Sequence, residues 1–316
     1  MYRQAIEENP YVDEIWEIPV ARRADVDPAW RRFASDAKRK RREGIFDEIF
    51  LTQVGPDNYQ NFDGTVRASI FRAYPRPITV PVTPVIRLLP EEVQRVREFA
   101  DRHGLERRKN VVLFECASAS RQSFITPGFA LDIAPQVLAR IDDCAIVVTS
   151  DVRIESPERR IIDGSVLSFR ENAELTKYCT LLVGCSSGVS WLCTSDWAKP
   201  LPTIQVLSKA TSVFASMYHD AEYFGLRKDH ILEMTDCSPE HLAECICAAM
   251  TEEFSAVRSR FHEQIPVELN FYLEVFMRAV LRQGQVLKIA RSLGHVFRRY
   301  GPKPFKQYAL SRLRLS

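Results

Sequence analysis

The sequence predicts an α/β protein built on a doubly wound parallel sheet. Continuous apolar segments, typical of parallel strands that are buried on both faces, recur between residues 110 and 206. Segments that begin with helix-capping residues separate them, so strands and helices alternate along the chain. The 316 residues are 46% hydrophobic and 27% charged, which is a globular composition, and the length suffices for two domains.

Five strands are predicted in this region, and they are residues 110–114, 145–148, 161–162, 180–183 and 203–206. Thr126-Pro127 and a capping box from Ser168 to Glu171 begin two of the helices between them. Ser238-Pro239 begins a long helix that we expect to reach His262. We assign residues 106–262 to a C-terminal domain with Rossmann-like topology.

The first hundred residues are predicted to form a separate domain. Alternating polar and apolar residues indicate strands over residues 13–18 and 47–54. A basic helix is expected over residues 28–43 and an amphipathic helix over residues 90–104. We therefore place an N-terminal domain at residues 1–105 and a helical tail at residues 263–316.

The tail has a strong positive charge. Ten Lys or Arg residues and no Asp or Glu follow Glu274, although the net charge of the whole chain is only +2. Apolar residues alternate with these charges, so residues 268–300 form a basic amphipathic helix that could bind an anionic membrane surface. The alternative is a helix that packs on the protein with solvated charges. Nucleic-acid binding is not expected, because no aromatic platform accompanies the charges.

Several classes of protein lack their signatures here. No apolar run is long enough to span a membrane, and the first residues have no secretory h-region. We therefore expect a cytoplasmic protein, or one at the inner face of the membrane if the tail binds lipid. Most of the eight cysteines lie in apolar runs and none forms a CxxC pair, which indicates reduced core residues and no metal site. P-loop and GxGxxG motifs are absent, and no cofactor is expected.

Ligands of an open parallel sheet bind beyond the carboxyl ends of its strands. After the strand at 180–183, the chain passes through Ser186, Ser187 and Gly188 into a helix. Backbone N–H groups at such a helix start suit a diphosphate, and glycine lets a ligand approach the backbone. An ordinary capped turn explains the same residues equally well.

The loop after the strand at 110–114 is a second candidate site. Ser118 and Ser120 could donate hydrogen bonds to a phosphate, and Arg121 could pair with it through two N–H groups. A solvated loop with a surface arginine is the alternative.

The order of these motifs resembles that of family 9 glycosyltransferases, which include the ADP-heptose:lipopolysaccharide heptosyltransferases. The similarity is carried by IEENPYVDEI at residues 6–15, the loop at 117–122, NAELTKYCTLLVGCSSG at 172–188, and KP at 199–200 before the strand at 203–206. It covers residues 1–207 in order, and the Ser186–Gly188 turn is its most specific part.

The resemblance implies the GT-B fold, in which two Rossmann-like domains face each other and the C-terminal one binds a nucleotide-sugar without a metal ion. Carried over by position, the diphosphate would contact Ser118, Ser120, Arg121, Ser186, Ser187 and Gly188. The nucleoside would lie near Thr149, Ser150 and Phe169.

Two departures from the family affect the catalytic half of the site. The family has a first βαβ portion ahead of the segment that matches residues 6–15, so the N-terminal domain is expected to be incomplete. The family often has Asp where this chain has Ser186. The catalytic residues are unknown; Asp57, Asn58 and Asp63 are weak candidates, since turn formation explains each of them better.

The expected function is transfer of a sugar from a nucleotide-sugar to a cell-surface glycan or lipid-linked acceptor, as in lipopolysaccharide or polysaccharide biosynthesis. The alternative is a non-catalytic module that binds a nucleotide-sugar or a glycan, left from a truncated glycosyltransferase. A nucleotide-sugar epimerase is a third possibility, but it needs His and carboxylate groups that converge on the cleft.

Overall fold

The computed structural model describes residues 3–52, 58, 61–62, 64–116, 123–209, 215–266 and 286–313. The chain forms two compact units. The first, called the sheet unit, comprises Met1–Tyr11 and Val80–Val267. The other, called the second unit, comprises Val12–Thr79 and Glu268–Ser316.

The sheet unit contains a six-stranded, all-parallel sheet in the order β3-β2-β1-β4-β5-β6. The strands are β1 (Asn110–Glu115), β2 (Cys144–Thr149), β3 (Ile161–Asp163), β4 (Leu181–Gly184), β5 (Thr203–Leu207) and β6 (Ile231–Thr235). The chain builds outward from β1 to β3, then crosses back to β4 and builds in the other direction. The predicted doubly wound, Rossmann-like sheet is confirmed.

Helices cover both faces of this sheet. Those of the sheet unit are α3 (Pro90–His103), α4 (Pro127–Leu138), α5 (Glu171–Leu175), α6 (Gly188–Leu192), α7 (Met217–Phe224), α8 (Pro239–Thr251) and α9 (Phe254–Phe261). The predicted caps are present, because Thr126 Oγ1 accepts from Phe129 N at 3.2 Å and Ser168 N donates to Glu171 Oε2 at 2.6 Å.

Alternate residues of each strand pack in opposite directions. Val112 and Phe114 of β1 join a cluster with α4 and α8, whereas Val111 and Leu113 join a cluster with α3. All four side chains are at most 1% exposed. Burying each apolar side chain of this size is worth about 1.5–3 kcal/mol, which explains why the strands are continuously apolar.

Three predictions from the sequence differ from what the sheet unit contains. β6 was not predicted, and the single helix expected up to His262 is two helices, α8 and α9. α3, which was assigned to the N-terminal domain, packs on the sheet through Val96, Phe99 and Ala100. The compact sheet unit therefore includes residues 80–105 as well as the expected domain.

The described residues of the second unit form helices and extended segments. Its helices are α1 (Val26–Arg42), α2 (Arg67–Phe71), α10 (Val286–Tyr300) and α11 (Lys303–Leu313). α1 confirms the predicted basic helix. The strands predicted over 13–18 and 47–54 are wrong where the chain is described, since residues 13–18 and 47–52 form no ladder. Their apolar residues pack as aromatic pairs instead, such as Trp16 with Phe46.

The C-terminal tail is helical over Val286–Tyr300 and Lys303–Leu313. Within α10, Val296 is fully buried, whereas Leu287 and Phe297 are 81% and 53% exposed. None of the described helices has the length and apolar composition required to cross a membrane.

Candidate functional site

The loops predicted to bind phosphate follow two neighbouring strands. β1 and β4 are paired in the sheet, and the chain leaves them toward opposite sides. In sheets of this kind, ligands bind in the crevice at such a switch point, outside the carboxyl ends of the strands. Ser186, Ser187 and Gly188 follow β4 directly. Ser118, Ser120 and Arg121 belong to the loop after β1 and lie outside the described residues.

Ser186 holds the turn after β4 in place through two hydrogen bonds. This residue has a φ of +53°, a left-handed conformation that costs a non-glycine residue about 1–2 kcal/mol. Its N–H donates to Gln205 Oε1 at 2.6 Å, and its hydroxyl donates to the carbonyl of Ala215. With 2% exposure, Ser186 is a structural part of the turn.

A buried carboxylate joins β1 to the same turn. Glu115, at the end of β1, is 0% exposed. Its Oε1 accepts from Ser187 Oγ at 2.6 Å and from Cys185 Sγ at 2.9 Å. Its Oε2 accepts from Cys185 N at 3.0 Å and from Ser190 Oγ at 2.7 Å. Such a group is tolerated in the interior only because its oxygens are hydrogen-bonded, so Glu115 fixes the turn against β1.

Glu115 was not among the residues predicted for the site. The available signal was its position, since a charged residue ends a strand that is otherwise continuously apolar. The role of Ser187 also differs from the expected one. Its hydroxyl donates to Glu115 and accepts from Val189 N at 3.0 Å, so it caps α6. Gly188 is the exposed residue of the turn.

Phe169 and Gly188 lie together, as a shared site requires. A Cβ atom on Gly188 would come within 2.9 Å of Cε2 of the Phe169 ring. Phe169 itself is half-buried and packs toward Ala173 and Leu192. The ring therefore forms one wall beside the exposed backbone of Gly188.

The two other residues expected near the nucleoside are Thr149, the last residue of β2, and Ser150, which follows it. Thr149 pairs in register with Glu115, and its Oγ1 is buried without a hydrogen-bond partner among the described residues. Its methyl group lies where a Cβ of Gly164 would be, at 2.7 Å. Ser150 is half-buried and its Oγ accepts from Val152 N at 3.0 Å. Ser150 thus serves the local turn, whereas Thr149 keeps an unused polar atom.

Thr149 belongs to a polar row that crosses the sheet. The in-register residues are Thr149, Glu115, Gly184, Gln205 and Glu233. The Nε2 of Gln205 is a second buried atom for which the described residues offer no partner. Gln205 and Glu233 lie in the middle of their strands, and every residue of the row is buried.

Glu233 is the most perturbed acid of the row. Burial raises its pKa to about 7 from its usual 4.5, against hydrogen bonds from Tyr218 N and Ser216 Oγ. The folded state therefore binds a proton more tightly than the unfolded state does. This contribution to stability is present below pH 4.5 and is lost as the pH rises through about 7.

The neighbouring His262 titrates in the opposite sense. Its Nδ1 accepts from Glu233 N at 3.1 Å, so the ring is neutral in this arrangement. Burial, aided by the charge of Arg258, lowers the pKa of His262 to about 4. The contribution of His262 to the stability of the folded state falls as the pH drops below 6.5. This partly offsets the stability that Glu233 gains at low pH.

Arg170, which follows Phe169, is an internal residue. Its side chain is 4% exposed and forms an ion pair with Glu92, with Nε to Oε1 at 2.8 Å. Its remaining N–H groups donate to the backbone carbonyls of Gln4, Glu7 and Arg87. Arg170 thus attaches the first residues of the chain to α3 and cannot contact a phosphate.

The catalytic candidates add little to the site. Asp57 and Asp63 lie outside the described residues. Asn58 is buried, donates to the Ser69 carbonyl at 2.9 Å and accepts from Asn61 Nδ2, which is a turn role. Among the described residues no group of three His, Cys, Asp or Glu side chains could hold a metal ion.

Comparison of the sequence with protein-family models and with curated proteins finds no match in either. The similarity to family 9 glycosyltransferases therefore stays a prediction from the motifs.

Proposed function

We propose that the chain is a GT-B-type glycosyltransferase that takes a sugar from a nucleotide-sugar and passes it to a glycan or lipid-linked acceptor. One observation carries the proposal: the two loops selected from the sequence follow β1 and β4, the strands at the switch point of the sheet. Both loops were selected because they follow strands, and the sheet order adds that these two strands are neighbours.

The parts of the crevice have distinct proposed roles. The diphosphate lies against the exposed backbone at Gly188, and Arg121 from the loop after β1 neutralises it. The Phe169 ring packs beside the nucleoside. Glu115, Ser186 and Ser187 position the turn and do not contact the ligand. Catalysis then comes from orienting the donor and stabilising the departing diphosphate.

A non-catalytic nucleotide-sugar-binding module is the second candidate. The carboxylate nearest to the turn, Glu115, already accepts four hydrogen bonds and has no role as an acid or base. A site whose carboxylate is used entirely in structural hydrogen bonds is what a binding module without catalytic activity would have.

Nucleotide binding is tested by thermal denaturation with UDP, GDP, ADP, CDP and dTDP. A ligand at 100 times its dissociation constant adds about 2.7 kcal/mol of stability, which raises the melting temperature by several degrees. We expect one nucleotide to do so, and Gly188→Ala to abolish the shift because its Cβ would displace Phe169.

The matched control is Gly128→Ala, whose Cβ would meet only Thr126 Oγ1 at an ordinary 3.8 Å. Arg121→Ala should also remove the shift, whereas Arg102→Ala on α3 should keep it. Absence of any shift, or equal shifts in Gly188→Ala and Gly128→Ala, contradicts the proposal. Release of the nucleoside diphosphate in the presence of acceptor then separates the enzyme from the binding module.

A further inference from the structure

The second unit contains an aromatic pocket that is separate from the crevice. Its volume is about 360 Å³, within the range of small-molecule sites. Four aromatic side chains line it, and they are Trp16, Phe33, Phe46 and Phe50. Three carboxylates, those of Glu14, Asp36 and Glu48, complete the lining together with small aliphatic groups. We call this cavity the aromatic pocket.

The aromatic walls are fixed by contacts behind them. The Trp16 and Phe46 rings pack at 5.9 Å between centroids with a tilt of 49°. Phe50 packs against Phe71 at 5.7 Å and edge-on against Tyr74 at 5.3 Å. The rings are therefore held in place before a ligand binds, which lowers the entropic cost of binding.

Two of the three carboxylates of the pocket, those of Asp36 and Glu48, form ion pairs with basic side chains of the protein. Asp36 forms ion pairs with Arg39 at 2.5 Å and Lys40 at 3.0 Å, and these partners lower its pKa. Glu48 pairs with Arg41 at 3.4 Å and Arg76 at 3.2 Å.

The cation site on Trp16 is also filled, because Lys40 Nζ lies 4.0 Å from the ring centroid. A cationic ligand would thus meet four positive charges of the protein's own. The pocket instead offers flat apolar walls and carboxylate oxygens that can accept further hydrogen bonds.

We propose that the aromatic pocket binds a neutral sugar ring. The C–H face of a pyranose is apolar and packs on Trp16 and Phe46, while its hydroxyl groups donate to Glu14, Asp36 and Glu48. The proposal rests on the proposed function only for the biological source of the sugar, a glycan acceptor. Binding itself requires neither a nucleotide nor catalysis.

The test is saturation-transfer difference NMR on the full chain without nucleotide. The probes are methyl glycosides of glucose, galactose, mannose and N-acetylglucosamine, followed by disaccharides of whichever sugar binds. We expect one glycoside to bind with a dissociation constant on the order of 1 mM, as is usual for a single small ring. Tighter binding of the disaccharide identifies a glycan chain as the source, and equal binding identifies a free sugar.

Three variants locate the binding. Trp16→Ala and Phe46→Ala should each weaken it by about tenfold, since aromatic side chains that a ligand covers dominate such contacts. Trp16→Phe keeps an aromatic wall and should retain most of the affinity. The matched control is Ile45→Ala, which removes an exposed side chain next to Phe46 that does not line the pocket.

The proposal is overturned if no glycoside binds, or if both Trp16→Ala and Phe46→Ala bind as the native chain does. Binding of tetramethylammonium in preference to every sugar overturns it too, since the pocket would then be a cation site. Each result leaves the nucleotide experiment untouched, so failure of this inference and failure of the proposed function are distinguishable.

Discussion

Replacing Glu115 should destabilise the sheet unit far more than an ordinary acidic substitution. In Glu115→Ala the donors Cys185 N, Ser187 Oγ and Ser190 Oγ lose their acceptor in the interior. Each buried group left unpaired costs about 1–3 kcal/mol, so the total is about 3–6 kcal/mol after partial rearrangement. This is a large fraction of the stability of a typical domain.

Glu115→Gln has a smaller and distinct cost. Cys185 N–H cannot reorient, so the amide oxygen must take the Oε2 position and the NH₂ group must face Ser187. One hydrogen bond to a charged acceptor is then lost, which is worth about 1.5–3 kcal/mol. Guanidinium unfolding measures both variants, and amide hydrogen exchange at Cys185 reports the turn directly.

Glu155→Gln is the control, because Glu155 is exposed and should change stability by less than about 0.5 kcal/mol. The reasoning is refuted if Glu115→Ala unfolds within about 1 kcal/mol of the native chain. Unchanged exchange at Cys185 in that variant would likewise show that Glu115 does not hold the turn.

Three further predictions concern other parts of the chain. Arg170→Ala should cost about 3–5 kcal/mol in chemical unfolding because it leaves Glu92 buried without its partner, whereas Arg227→Ala, in an exposed ion pair, should cost under about 1 kcal/mol. The free energy of unfolding of the native chain, minus that of Glu233→Gln, should fall by about 3 kcal/mol between pH 4.5 and 7. A difference that does not change with pH would exclude a protonated Glu233. Vesicles rich in phosphatidylserine should sediment the chain, and Arg291→Glu with Arg298→Glu should weaken binding at least about tenfold. Equal sedimentation with phosphatidylcholine would contradict the membrane prediction.

The sheet was predictable because its strands are buried on both faces. Val111–Phe114 and the matching run in β2 consist of apolar residues that no exposed segment would carry. The strands expected in the second unit failed for the opposite reason. Alternation of polar and apolar residues over 13–18 shows only that one side of the segment packs against something. Here aromatic side chains such as that of Phe46 pack against it.

The loops of the candidate site were predictable, but the residues that hold them were not. Ser186, Ser187 and Gly188 are adjacent in sequence and follow an apolar strand, so pattern alone identified the turn. Glu115 is 72 residues away from Ser187 and meets it only because β1 pairs with β4. Strand order and register decide such contacts, and a single sequence does not encode them in any local pattern.

The carbonyl groups that accept hydrogen bonds from Arg170 affect which fragments of the protein can be prepared in isolation. Gln4 and Glu7 supply two of its acceptors, although they are separated from it by more than 160 residues of chain. A fragment beginning at Val80 would contain every strand of the sheet, yet it would leave a buried guanidinium with two N–H bonds unmet. Work with the isolated sheet unit therefore needs the first eleven residues added back, either as a fused segment or as a separate peptide.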